Sequence, residues 1–260
     1  MIKFFRHIRK SLINQNRFTK YLLYAVGEII LVVIGILIAL QLNNLNELSK
    51  ELKKEHQFLK QIQEDLNQSS KTMKETAEFF FERAEGAAYV CQSFWNPEEV
   101  VMDTLIESLV IVFESKREKP LVGTIESLIN SGEINLISSD SLRNALIAYS
   151  GIVEANLSDI ERLDETYYRP AIGNTVHLVN YPEIYHQYGS GGGEYSSSPS
   201  KITRTPFPND YDVLLEQKEI YTNYYQFLIA HRNQALKYNA LAKESKKLSQ
   251  YISKYLENHE

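Results

Sequence analysis

The 260-residue chain is poor in the residues that usually announce chemistry. It has one cysteine, Cys91, which excludes an internal disulfide and leaves a thiol that reads as a small buried apolar side chain on a helix. Its six histidines, His7, His56, His177, His186, His231 and His259, form no H-E-x-x-H, no i,i+4 pair and no Cys/His cluster. His177 and His186 flank a segment with tyrosine and proline, but the companion ligands of a zinc site are missing. There is no G-x-S-x-G, no Walker loop and no dinucleotide fingerprint. Glu64-Asp65 and Glu98-Glu99 read as solvated helix acids. The sequence therefore assigns no catalytic, cofactor-binding or metal residue, and the chain is not read as an enzyme. Positive charge is also scarce over most of the length. Six basic and no acidic side chains in the first 20 residues, one acid in residues 21–42 and a total of −5 leave −10 for the remainder. Nothing there concentrates the cations that phosphate contacts need, which argues against nucleic-acid binding.

What the chain does have is one long apolar run, Tyr21–Leu42, YLLYAVGEIILVVIGILIALQL, with Glu28 its single ionisable residue. As a helix it covers about 33 Å, enough for a hydrocarbon core of about 30 Å. The division expected is a basic cytoplasmic leader over 1–20, a transmembrane helix over 21–42 and an extracytoplasmic domain over 43–260. In the leader, Phe5, Ile8 and Leu12 at helical spacing among Lys3, Arg6, Arg9, Lys10, Arg17 and Lys20 suit a short helix lying on anionic lipid headgroups. Five Lys or Arg precede the run closely, against Lys50, Lys53 and Lys54 after it, which favours the N-terminus inside. In a Gram-negative cell the bulk of the chain is then periplasmic and the anchor lies in the inner membrane. Ala39-Leu40-Gln41 is a poor signal-peptidase site, so the anchor is read as uncleaved.

Met1–Asn44, with its MIKFFR start and GEIILVVIGILIALQLNN over Gly27–Asn44, resembles the N-terminus of an uncharacterised family of bacterial single-pass membrane proteins. Ile125–Tyr149, IESLINSGEINLISSDSLRNALIAY, resembles the middle of the same family. The resemblance covers about a quarter of the chain. It implies an anchored helical architecture and supplies no catalytic residues.

Within the run, Gly35 and Ala39 lie within about 20° of Glu28 around the helix, and Tyr24 falls beside the same face. Gly35 and Ala39 form a small-xxx-small pair that lets a second helix approach, and a carboxyl on that face can hydrogen-bond across the contact. Alternatively Glu28 snorkels towards the headgroups without a partner, or carries a proton or ion.

Beyond the run, Leu45, Leu52, Leu59, Leu66, Met73, Phe80, Ala87 and Phe94 recur every seven residues, predicting a helix to about Trp95. A second seam begins with Leu48 and Ile62 but decays through Glu55, Ser69, Thr76 and Arg83, which favours packing inside a bundle over a strict two-stranded coiled coil. Asn96-Pro97 reads as a helix start running to Phe113, with Leu109–Phe113 open to a strand reading. Short and longer helices follow at Ile125–Asn130, with Gly132 past its end, and Ser141 to about Tyr168. Arg169–Tyr188 is interrupted by Pro170, Gly173 and Pro182, and a flexible loop is expected near 189–206. Asp210 or Asp212 caps the last helix, which carries Leu214, Tyr221, Leu228, Ala235 and Ala242 at sevens. Its tyrosines, Tyr221, Tyr224, Tyr225, Tyr238, Tyr251 and Tyr255, read mostly as half-buried packing residues.

The architecture expected is all-α: one transmembrane helix followed by an elongated antiparallel helical bundle. The function expected is a membrane-anchored interaction or scaffold protein, without cofactors, that associates through the Tyr24/Glu28/Gly35/Ala39 face as a homo-oligomer or with another membrane protein and meets a periplasmic partner. The alternatives are a ligand-sensing ectodomain acting through a separate membrane protein, and a proton-coupled accessory subunit built on Glu28.

Overall fold

The computed structural model describes residues 18–180 and 207–258, so most of the leader and the loop expected near 189–206 lie outside the described residues. Among the described residues every regular element is helical, and none is a strand. The chain divides into two units, residues 1–56 and 57–260.

Helix α1, Phe18–Ser93, supplies what is described of the first unit. It ends where the sequence predicts. The part beginning at Ala25 contains a stretch long and apolar enough to cross a membrane, none of it buried by protein. Val26, Ile30, Leu31, Ile34, Leu37, Ile38 and Leu42 are all exposed. Covering side chains of this kind is worth about 1.5–3 kcal/mol each, so the run demands an apolar surrounding.

The second unit is built on three long helical segments: α1 from Gln57, α4 (Asp140–Leu163) and α7 (Lys218–Glu257). Between them lie α2 (Met102–Ile111), α3 (Gly123–Ser131), α5 (Arg169–Thr175) and a one-turn α6 (Tyr211–Leu214). Helix α7 runs antiparallel to α1, because numbers fall along α7 as they rise along α1. Ser249 Oγ meets Asn67 at 2.7 Å, Ser70 Oγ donates to the Ala242 carbonyl at 2.9 Å, and Cys91 lies against the Tyr221 carbonyl. Helix α4 is antiparallel to α7 by the same test: Ser141 pairs with Tyr251, Tyr149 with Ser245, and Asp159 with Lys237.

Two apolar clusters hold this unit. One joins Leu59, Ile62, Leu66, Met73 and Phe80 to Leu142, Leu146, Tyr238 and Leu248. The other joins Ala87, Val90 and Cys91 to Leu105, Leu109, Tyr168 and Phe227. The predicted heptad positions of α1 from Leu59 to Ala87 are thus core. From Ile62 to Arg83 the second seam is buried as well, despite its polarity, whereas Leu48 is exposed. Ser69 donates to the Asp65 carbonyl and accepts from the Leu121 amide, each at 2.7 Å, and Thr76 donates to the Thr72 carbonyl at 2.8 Å, so both bury without an orphaned group.

Several boundaries differ from the sequence reading for identifiable reasons. Asn96 precedes only a three-residue 3-10 turn, Pro97–Glu99, and makes no side-chain cap. Val100 and Val101 are extended, the Val101 amide donating to the Tyr89 hydroxyl at 2.9 Å, and α2 starts at Met102. Leu109–Ile111 is the end of α2, and Val112 and Phe113 form the turn that follows it, not a strand. Buried helix ends must satisfy their last carbonyls. Here Tyr224 OH caps Leu109 at 2.7 Å, His231 Nε2 caps Val112 at 2.9 Å and Tyr168 OH caps Phe113 at 2.6 Å.

Gly132 ends α3 at φ 77°, a left-handed turn that glycine takes at least cost. Ser139 caps α4 through the Leu142 amide. The helical path does not stop at Tyr168: a π turn, Asp164–Tyr168, carries it into α5. Pro170 explains the turn. It has no N–H for the carbonyl four residues back and would clash there, and the wider turn, closed by the Arg169 amide on the Asp164 carbonyl, relieves both problems. Asp210 caps α6 through the Val213 amide, and the last helix begins separately at Lys218 after Gln217.

Candidate functional site

The first candidate surface is the small-residue face of α1. Gly35 and Ala39 are exposed and Glu28 is half-buried. A Cβ added at Gly35 meets nothing within 4 Å, so the face is open to a neighbouring helix. The side chains of Tyr24 and Lys20 lie outside the described residues, as do Lys3, Arg6, Arg9, Lys10 and Arg17 of the leader.

The second candidate is a polar layer in the second unit, where the two apolar clusters meet. Arg83 enters it from α1 with its side chain 7% exposed, lies over the Phe79 ring at 3.3 Å, donates to the Phe79 carbonyl and pairs with Glu114. Asp164, in the π turn, is buried and held by Arg117 at 3.0 Å and Arg169 at 2.7 Å. Its carboxylate in turn keeps the Arg169 guanidinium more firmly protonated than usual. His231 of α7 is fully buried, stacked near Phe80 and Phe227 and edge-on to Tyr168. Burial pushes its pKa down to about 4, with Arg83 adding to the effect, against the smaller opposing pulls of the Val112 carbonyl, Gln234 and Asp164. The imidazole is therefore neutral at pH 7. Since Nε2 must donate to Val112, Nδ1 is left as an acceptor, with the Gln234 side chain beside it. Gln234, one turn further on, is buried with its side chain against His231.

Beside this layer is a cavity of about 350 Å³ reached by Gln234, Asp164, Tyr238 and the 115–119 segment. Among the described residues there is no group of three or more His, Cys, Asp or Glu able to hold a metal ion. Cys91 is buried, its thiol pushed up to about 11, and so is poorly nucleophilic.

None of Asp164, His231 or Gln234 stood out in the sequence, although a signal was present. The true buried stripe of α7 is Tyr224, Phe227, His231, Gln234, Tyr238, Leu241 and Ser245. Counting by threes and fours reveals two polar residues in its middle, whereas counting by sevens from Leu214 reaches the half-buried Tyr221 and Leu228 beside it. Asp164 continues the α4 stripe four residues after Ile160.

The fold and these surfaces define an all-helical protein with an N-terminal helix suited to crossing a membrane and a separate helical unit holding a polar layer and cavity. A family model described as "Family of unknown function (DUF6090)" matches residues 28–84, running from Glu28 into the core seam of α1 and bearing out the resemblance to an uncharacterised family. No curated protein and no solved structure matches the chain.

Proposed function

We propose that this chain is a membrane-anchored interaction protein of the bacterial inner membrane. Tyr21–Leu42 spans the bilayer with the basic leader in the cytoplasm, where Lys3, Arg6, Arg9, Lys10, Arg17 and Lys20 meet anionic headgroups. The second unit is periplasmic and engages a partner there. The Glu28, Gly35 and Ala39 face joins two copies of the span. The observation that carries this reading is the bare apolar surface of α1 around an open glycine, Gly35, with no protein covering it.

Native mass spectrometry of the full chain in a mild detergent tests it. Wild type is expected as an oligomer, Gly35→Leu as a monomer, and Glu28→Gln as a weakened oligomer. Monomers in all three samples would refute the association. A second reading, a ligand-binding ectodomain that acts through a separate membrane protein, is favoured by the cavity beside Gln234, and is compatible with the first.

A further inference from the structure

We draw no further inference here: the strongest candidate, the exposed leucine face of α1 formed by Leu45, Leu48 and Leu52, is an unpartnered apolar surface, and nothing in the structure shows what covers it.

Discussion

Acid should destabilise the second unit through one residue, His231. In the unfolded chain its imidazole has the ordinary pKa of about 6.5, whereas in the fold burial holds it at about 4. Above pH 6.5 the ring is neutral in both states and makes stability independent of pH. Between 6.5 and 4 the unfolded chain binds a proton that the folded chain refuses, so stability falls as pH falls. Below 4 the loss is complete. The gap corresponds to about 3.4 kcal/mol in full and about 2 kcal/mol at pH 5. His231→Phe isolates this contribution. The new ring keeps the stack on Phe80 and Phe227 but strands the Val112 carbonyl, which costs about 1–3 kcal/mol at pH 7. Between pH 7 and pH 5, however, the variant should lose about 2 kcal/mol less than wild type. Urea unfolding of the full chain in micelles, followed by far-ultraviolet circular dichroism at both pH values, reads the difference. Because every other titratable group is common to both proteins, their contribution largely cancels. Equal losses in the two proteins would refute the placement of a neutral buried imidazole at this position.

Two glycines should respond oppositely to alanine. At Gly86 an added Cβ meets the branched Ile111 Cγ2 at 2.6 Å, so Gly86→Ala should lower Tm despite better helix propensity, whereas at Gly151 it meets nothing and Gly151→Ala should add about 0.5–1 kcal/mol; a Tm gain at Gly86 would contradict the close α1–α2 approach. Glu114→Leu removes one of the two carboxylates on the buried Arg83 guanidinium, which keeps Glu82 and the Phe79 carbonyl, and should cost about 1.5–3 kcal/mol, while Arg83→Met with Glu114→Leu should recover most of that loss, as denaturant melts will show. Cys91, with its thiol at about 11, should react with iodoacetamide at neutral pH at least about 100-fold more slowly in the native chain than in denaturant, measured by mass spectrometry of the alkylated protein.

The long helices were legible because their signals are local and repeated. Leu59, Leu66, Met73 and Phe80 each mark the same face, and Ser139 and Gly132 mark ends by chemistry that acts within a few residues. The membrane-crossing candidate was legible for the same reason. What was lost depends on partners far away in sequence. Asn96-Pro97 has the composition of a helix start, yet the Tyr89 hydroxyl holds Val101 extended. Leu109–Phe113 has the composition of a strand, yet its end carbonyls find Tyr168, Tyr224 and His231, between 55 and 119 residues further on. Pro170 looked like a stop because a π turn cannot be read from propensity.

The polar layer was hidden by the same distance effect, and its position follows from the two clusters it separates. A seam that was apolar throughout would let α7 slide along α1 by a turn at little cost, because one Leu or Ala contact resembles the next. Arg83, Asp164, His231 and Gln234 remove that freedom. Moving α7 by one turn takes His231 away from the Val112 carbonyl, leaving a buried carbonyl and a buried imidazole without their hydrogen bond at a cost of about 1–3 kcal/mol. The layer therefore fixes the register of the bundle and, in doing so, fixes where the cavity opens.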